Sequence, residues 1–386
     1  MIIEVHVLQS FPVSNLNRDD LGQPKTAQFG GFTRGRISSQ SQKHAARRVF
    51  GEYGLRDEHL GIRTKRLRDK VAERLAASHG VDESREAVGI VLEALEFKMV
   101  KEGLTEYLLF VGKRAADVLA EHCDDNWDAL AKVMAARRKA AEKKTDKTAD
   151  IKTPARKTYK PGDKVLNALK NSIGAAHAAD IGLFGRMVAN NQDLSVVAAC
   201  QVAHAISTHS VTIEFDYFTA MDDLRPDAEP AADMIGTIDF DSACYYRYAN
   251  TDLDQLKKNL VGDDELPALA LNAWLHAFIE SVPGGKQSTM AAPTKPDTLL
   301  GVVRDKGAWS LANAFLSPVD GERDYMDASS TRLTSHFDKL RGFYGSEQLR
   351  QVSFASLEHG PCELADVTNT STLDEFVDSL LEAAQS

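Results

Sequence analysis

The chain of 386 residues has few of the features that mark secreted, zinc-binding and membrane proteins. Its four cysteines, at positions 123, 200, 244 and 362, lie far apart and form no CxxC pair. This spacing argues against both a disulfide framework and a zinc site. No apolar run reaches the about 18 residues of a membrane-spanning helix, and the first residues do not resemble a signal peptide. We therefore expect a cytoplasmic protein with no membrane association.

Complete catalytic motifs are also lacking. Residues 282–288, VPGGKQS, resemble a phosphate-binding loop, but Glu280 stands where the Walker spacing requires the first glycine. His204 and His209 are not part of an HExxH pattern, and no G-x-S-x-G or GxGxxG pattern fits its required context. We therefore expect no catalytic residue, no bound metal, no cofactor and no enzymatic activity.

The charges that are present are unevenly distributed. The net charge of −10 is unusual for a nucleic-acid-binding protein. However, residues 132–170 carry thirteen Lys or Arg against four acidic residues, whereas residues 214–282 carry fifteen acidic residues against four basic ones. Separate basic and acidic surfaces can bind a polyanion and a neighbouring protein, although composition alone equally allows both to be only solvated.

Residues 17–50 combine a turn-rich loop, a glycine pair and a short basic helix. Seven basic residues against two acidic ones lie between Arg18 and Arg48. Ser39 is a suitable N-cap with Gln42 three residues later, which predicts a helix over residues 40–50. This helix carries Lys43 and Arg47 on one face. A helix N-terminus with serine hydroxyls and two cations on the next turn suits a chain of phosphates, although an ordinary capped surface helix has the same pattern.

Several motifs resemble those of the CasC family, the backbone subunit of the type I-E CRISPR surveillance complex called Cascade. The motifs occur in the order expected for this family and cover nearly the whole chain. They are LNRDD (16–20), Lys25, FGG (29–31), RISSQSxK (36–43), GRM (185–187), AHAISTH (203–209), DYFTAMDDL (216–224), YRYAN (246–250), VPGGKQ (282–287) and SLANAF (310–315).

The order of predicted elements indicates an α+β fold. A half-buried strand is predicted over residues 2–8, and helices over 63–78, 84–101, 104–121 and 129–141. A buried helix is predicted over 194–206, strand character over 210–218 and 236–248, and a strand over 286–294. A β–α start followed by an αββ-like portion fits an RRM-like (ferredoxin-like) core.

The resemblance implies a palm, a helical fingers insertion and a projecting thumb. The palm comprises residues 1–57, 181–204 and 241–386, the fingers 58–180, and the thumb 205–240. The Lys-, Thr- and Ala-rich residues 143–164 depart from the family pattern and are predicted to form a mobile loop.

The resemblance also implies a non-catalytic subunit that polymerises along a CRISPR RNA and leaves its bases free to pair with target DNA. Its implied partners are the RNA, the target strand, further copies of itself, and the large, small, 5′-handle-binding and endoribonuclease subunits of Cascade. The residues that would grip the RNA backbone are Arg18, Lys25, Ser38, Gln40, Lys43, Arg47 and Lys286. Those of the base-displacing thumb are Met187, Phe218, Thr219 and Met221.

Two alternatives remain open from the sequence. Asp19 and Asp20 could hold Mg²⁺ beside the RNA and cleave it, as an aspartate does in related backbone subunits of another CRISPR class, although Asp is also common in turns. The chain could instead be a generic single-strand RNA-binding protein. Proteins of that class normally carry aromatic residues on the sheet, on which the bases stack. Residues 2–8 contain no aromatic residue.

Overall fold

The computed structural model of the protein describes residues 1–142, 159–173, 177–188, 194–220, 234–261, 263–320 and 324–385. The chain forms two compact units. Unit 1 comprises residues 1–54, 200–254 and 271–386, and unit 2 comprises residues 55–199 and 255–270. The predicted division into palm, fingers and thumb stays a prediction. None of the helices in the described part of the chain has the length and hydropathy of a membrane-spanning segment.

Strands and helices both contribute substantially, which confirms the predicted α+β class. The strands are β1 (Ile2–Ser14), β2 (Thr26–Phe29), β3 (Phe32–Ile37), β4 (Gly61–Thr64), β5 (Leu109–Gly112), β6 (Cys200–Val202), β7 (Ala205–Ser207), β8 (Glu214–Ala220), β9 (Met234–Asp252), β10 (Thr298–Arg304), β11 (Leu349–Ser356) and β12 (Thr368–Asn369). The helices are α1 (Ser39–Val49), α2 (Leu67–His79), α3 (Val81–Ala94), α4 (Ala115–Asp125), α5 (Trp127–Glu142), α6 (Asp163–Ile173), α7 (Ala179–Phe184), α8 (Leu253–Asn259), α9 (Leu266–Glu280), α10 (Gln287–Met290), α11 (Tyr325–Tyr344) and α12 (Leu373–Gln385).

Unit 1 is built on a sheet in the order β12-β11-β10-β1-β9-β7-β3-β2, with β6 and β8 also paired to β9. All of these pairings are antiparallel except β11 with β12. The segment β10-β1-β9-β7 has α1 between β1 and β7 along the chain, and α9 between β9 and β10. The central sheet is therefore mostly antiparallel, with helical connections between strands that are not neighbours.

The predicted strand over residues 2–8 is confirmed as part of β1, but its predicted half-burial is wrong, because β1 is buried on both faces there. Glu4 and His6, expected to face solvent, are each 1% exposed. Glu4 is tolerated there because its carboxylate lies 3.0 Å from Arg304 and accepts a hydrogen bond of 2.8 Å from the Tyr248 hydroxyl. A buried charge is compatible with a strand when it has such partners. The alternation of apolar and polar residues along the sequence cannot reveal these partners.

Helices cover the sheet around β10. Leu300 packs in a cluster with Leu333 and Phe337 of α11. Gly301, the next residue, lies against α12, where an added Cβ would come within 2.8 Å of Leu380 and Phe376. Because successive residues of a strand point to opposite faces, α11 and α12 pack on the two sides of β10.

Unit 2 is a helical body with a short two-stranded ribbon, β4 with β5. Its core contains apolar residues of α2, α3 and α4, among them Val71, Val91 and Leu119. The predicted helices over 63–78 and 104–121 are wrong at their starts, because β4 and β5 occupy Gly61–Thr64 and Leu109–Gly112. Short apolar runs fit a strand and a buried helix equally well until a pairing partner is known.

Two further predictions are wrong, and one is confirmed. Residues 194–206 contain β6 and β7 in place of a buried helix, since both strands complete the sheet beside β9. Residues 286–294 contain α10 and no strand. The strand character expected over 210–218 and 236–248 is confirmed from residue 214 onward by the β8–β9 hairpin, which pairs from Glu214 with Phe240 to Ala220 with Met234. Of the predicted loop 143–164, residues 143–158 lie outside the described residues, and α6 begins at Asp163.

Candidate nucleic-acid interface

Asp19 holds the loop between β1 and β2 in a tight turn. Its Oδ1 accepts hydrogen bonds of 2.9 Å from the backbone N–H groups of Leu21 and Gln23, and its own N–H donates to the Gln23 carbonyl. The Arg18 side chain is exposed beside this turn. One carboxylate oxygen of Asp19 is thus already used by the backbone, as is usual for aspartate in turns. Among the described residues, no cluster of three or more His, Cys, Asp or Glu could hold a metal ion.

Asn17 connects this loop to the start of α1. Its carbonyl oxygen accepts the Lys25 N–H at 2.9 Å, and its side-chain Oδ1 accepts the Ser38 N–H at 2.8 Å. The Lys25 carbonyl in turn accepts the Arg36 N–H at 2.8 Å. These bonds bring the loop that carries Arg18 and Lys25 beside the N-terminus of α1.

The cap of α1 is Ser38, one residue earlier than predicted. Ser38 has extended backbone angles, and its hydroxyl accepts the Ser41 N–H at 3.3 Å. Gln42 does not complete a capping box, because its side chain is buried and donates to the Ala203 carbonyl at 2.9 Å. The first turn of α1 contains no acidic residue. The positive end of the helix dipole is therefore not offset by a carboxylate of its own helix.

The predicted contact residues on α1 differ in exposure. Gln40 is exposed, Lys43 and Arg47 are half-buried one turn apart, and Ser38 is only 6% exposed. Ser38 therefore acts in this structure through its cap. Its direct contact with RNA, like that of the other residues, stays a prediction.

Lys286 belongs to the same region of unit 1. It has a left-handed backbone (φ 51°) at the start of α10. The preceding Gly285 lies so close to the end of β1 that an added Cβ would come within 2.3 Å of the Leu16 carbonyl oxygen and 2.7 Å of that of Asn15. Glycine is required there by this close approach. The structure thus brings the Lys286 loop, the Arg18–Lys25 loop and α1 together.

Arg36 and His204 are also part of this region, although the sequence did not predict either as a contact residue. The Arg36 guanidinium donates to the Thr26 carbonyl at 3.2 Å and lies 3.0 Å from His204 Nδ1. Burial, followed by the charges of Arg36 and Lys25, lowers the pKa of His204. No local pattern marks this pair, because β3 and the residues before β7 meet only in the folded sheet.

Arg34 contributes nothing to the cationic surface, although it was counted with the basic stretch. It is 0% exposed. Its guanidinium donates to the carbonyls of Ser207 (3.0 Å), Thr208 (2.9 Å) and Phe315 (2.8 Å). Arg34 therefore links β3 to two other segments of unit 1, and only the remaining basic residues can reach a ligand.

The thumb candidates are distributed over both units. Met187, in unit 2, is 90% exposed and follows Arg186, whose buried guanidinium donates to the carbonyls of Phe110 and Ile173 at 2.7 Å. Phe218 and Thr219 are exposed on β8 of unit 1. Met221 lies outside the described residues.

These features define an α+β protein whose mostly antiparallel sheet positions a cationic loop and helix start on unit 1. The profile of the CT1975-like protein family matches residues 3–379. The chain belongs to this family.

Two solved structures are similar to the chain over essentially its whole length. A chain of a "CRISPR RNA-guided surveillance complex, pre-nicking" is 30% identical with a TM-score of 0.84, and each chain is covered completely. A chain of a "CRISPR RNA-guided surveillance complex" is 26% identical with a TM-score of 0.74, covering 99% of this chain and 100% of the other. No curated protein sequence matches this chain.

Proposed function

We propose that this chain is a non-catalytic backbone subunit of a Cascade-type CRISPR surveillance complex, and that its copies polymerise along a CRISPR RNA. The observation that carries the proposal is the full-length similarity, at 30% identity and a TM-score of 0.84, to a chain of an RNA-guided surveillance complex. The partners are the CRISPR RNA, target DNA through the guide, further copies of the chain and the other Cascade subunits. Assignment to the type I-E CasC subunit is the finer form of the proposal.

The topology of unit 1 supports an RRM-like palm. The strand order β10-β1-β9-β7, with antiparallel neighbours and α1 and α9 as crossover helices, is the β-α-β-β-α-β arrangement of ferredoxin-like folds. Such a sheet normally binds RNA by stacking bases on aromatic side chains. Here residues 2–8 of the central strand β1 contain no aromatic residue. Phe11 of β1 and the tyrosines of β9 at positions 245, 246 and 248 are buried, which favours binding through α1 and the loops.

The chemistry of the site supports a grip on phosphates. The elements that meet in unit 1 carry five cations, namely Arg18, Lys25, Lys43, Arg47 and Lys286. The N-terminus of α1 adds backbone N–H donors. Contacts to phosphates fix the position of a strand without reading its sequence. A subunit that binds guides of differing sequence requires such contacts.

RNA cleavage by Asp19 and Asp20 is the alternative activity. The two turn hydrogen bonds accepted by Asp19 favour a structural role. The test is incubation of the assembled complex with Mg²⁺ and complementary RNA or DNA, without any recruited nuclease. Asp19→Asn keeps an acceptor oxygen for the turn but removes the charge. Regular cleavage that is lost in Asp19→Asn or Asp20→Ala would establish the nuclease and reject the non-catalytic role.

Coexpression tests the proposed function as a whole. The chain is expressed with the proteins encoded beside it, purified through a tag on this chain, and its nucleic acid is extracted and sequenced. We expect a small RNA of defined length that is bound and protected by several copies of the chain. RNA of mixed length would favour the generic single-strand binder, and absence of RNA would reject both functions.

A further inference from the structure

Unit 2 contains an open cleft that has no part in the interface described above. Its volume is about 810 Å³, and it lies between the β4–β5 ribbon, α2 and the start of α4. This size is within the range of about 300–1,000 Å³ that is typical of ligand-binding clefts. Five basic residues line it: Arg56, Lys70, Arg74, Lys113 and Arg114.

Three acidic residues of the same cleft each pair with one of these cations. Asp57 pairs with Lys113, and Asp117 pairs with Arg74. Glu58 lies 3.1 Å from Arg56. Asp57 and Asp117 are more than half exposed, and exposed ion pairs contribute only about 0–1 kcal/mol. An incoming anion can therefore compete with these carboxylates for their cations.

Lys70 and Arg114 account for the excess of two positive charges in the cleft. Both side chains are exposed, and within the described ranges neither forms an ion pair. Lys70 lies on α2, one turn before Arg74, whereas Arg114 precedes α4. The unpaired cations thus stand on two different walls of the cleft.

The floor and the helix start indicate the kind of anion. Ile62 and Val111 provide an apolar floor, and none of the lining residues is aromatic. Arg114 is the N-cap of α4, and no side chain caps this helix, although Asp117 in its first turn offsets part of the helix dipole. Backbone N–H groups at a helix start favour phosphate oxygens, whereas bases would require aromatic surfaces for stacking.

We propose that this cleft is a second polyanion-binding site, which takes the phosphodiester backbone of a nucleic acid independently of its sequence. The forked guanidinium groups of Arg74 and Arg114 bind phosphate oxygens in pairs, and Lys70 and Lys113 add point charges. An acidic segment of a protein partner would use the same cations but would gain less from the helix start.

The test compares three double variants of the full-length chain for affinity to a mixed-sequence single-stranded oligonucleotide at several salt concentrations. Lys70→Ala/Arg114→Ala should weaken binding and flatten the slope of log K against log salt by about 1.4, since each single-strand phosphate contact contributes about 0.7. Asp57→Asn/Asp117→Asn should strengthen binding, because it removes the carboxylate charges that pair with Lys113 and Arg74. Lys257→Ala/Lys258→Ala, on exposed positions of α8, is the matched control and should change neither quantity.

The effect of Lys70→Ala/Arg114→Ala should persist in a Lys43→Ala/Arg47→Ala background, which separates this site from the interface on unit 1. The proposal would be overturned if Lys70→Ala/Arg114→Ala left affinity and salt slope unchanged, as the control does, in either the wild-type or the Lys43→Ala/Arg47→Ala background. The proposal would also be overturned if Lys70→Ala/Arg114→Ala lost binding to a polyglutamate peptide but bound the oligonucleotide as the wild type does. The cleft would then serve an acidic protein partner.

Discussion

Arginine has two different roles in this molecule. Arg34, Arg186, Arg247 and Arg304 are buried, and each guanidinium forms a hydrogen bond or ion pair with a carbonyl or carboxylate group. Burial lowers the pKa of Arg247 to about 10, which still leaves it charged at neutral pH. These residues hold separate segments together, whereas exposed arginines such as Arg18 and Arg114 can reach a ligand.

Arg34→Met should destabilise the protein strongly. The variant leaves the carbonyls of Ser207, Thr208 and Phe315 without their buried donor, at a cost of about 1–3 kcal/mol for each acceptor left unsatisfied. We expect the free energy of unfolding, measured with urea, to fall by about 3 kcal/mol or more. Arg48→Met, on the exposed side of α1, is the control and should change it by about 0.5 kcal/mol or less. Equal effects of the two substitutions would contradict the role of Arg34.

His6 should make stability depend on pH. Burial, followed by the charge of Arg304, lowers the pKa of His6 from 6.5 to about 3 in the folded protein. The unfolded chain therefore binds the proton first as the pH falls, so stability is complete above pH 6.5 and is lost toward pH 3. The slope contributed by this group is about 1.4 kcal/mol per pH unit at most.

His6→Gln removes the titrating ring. We expect the free energies of unfolding of wild type and variant to converge as the pH is lowered from 7 to about 4.5. Parallel curves over this range would show that His6 does not titrate as its burial requires.

At the scale of elements, α1 could be predicted because its cap, helix formers and basic face are all local in sequence. The position of its cap at Ser38, one residue before the predicted Ser39, could not be predicted, because Asn17 of another segment accepts the Ser38 N–H. β6 and β7 were likewise invisible, because their short apolar runs become strands only beside β9. Among the site residues, Arg18, Lys25 and the α1 cations are near in sequence, whereas Lys286 and His204 join them only through the fold.

The β8–β9 hairpin is the element proposed to displace a base pair of the guide–target duplex. Phe215 and Tyr217 are 73% and 56% exposed along β8, and Phe218 covers Gly236 on the neighbouring strand. Separating a base step costs a few kcal/mol. Exposed aromatic side chains can offset part of that cost by stacking.

A single mismatch moved along the guide tests this role of the hairpin. Mismatches at displaced positions should barely weaken target binding, because those bases are already unpaired. Mismatches at neighbouring positions should each cost about 1–3 kcal/mol. A uniform penalty, with no regularly spaced tolerant positions, would rule out displacement by the hairpin.

At the scale of the whole molecule, a net charge of −10 coexists with cationic surfaces on both units. Net charge alone would have argued against a nucleic-acid partner. The motifs nevertheless extend along the whole chain, as does the match to the CT1975-like family over residues 3–379. What the sequence could not indicate was which cations are buried, since that depends on contacts between distant segments.

The salt dependence of RNA binding tests the central claim, the grip of α1 on phosphates, most directly. Lys43→Ala/Arg47→Ala should flatten the slope of log K against log salt by about 1.4 for each bound subunit. Affinity should fall equally for guides of any sequence, and Lys257→Ala/Lys258→Ala should leave the slope as in wild type. An unchanged slope in Lys43→Ala/Arg47→Ala, or a loss confined to certain sequences, would contradict the account.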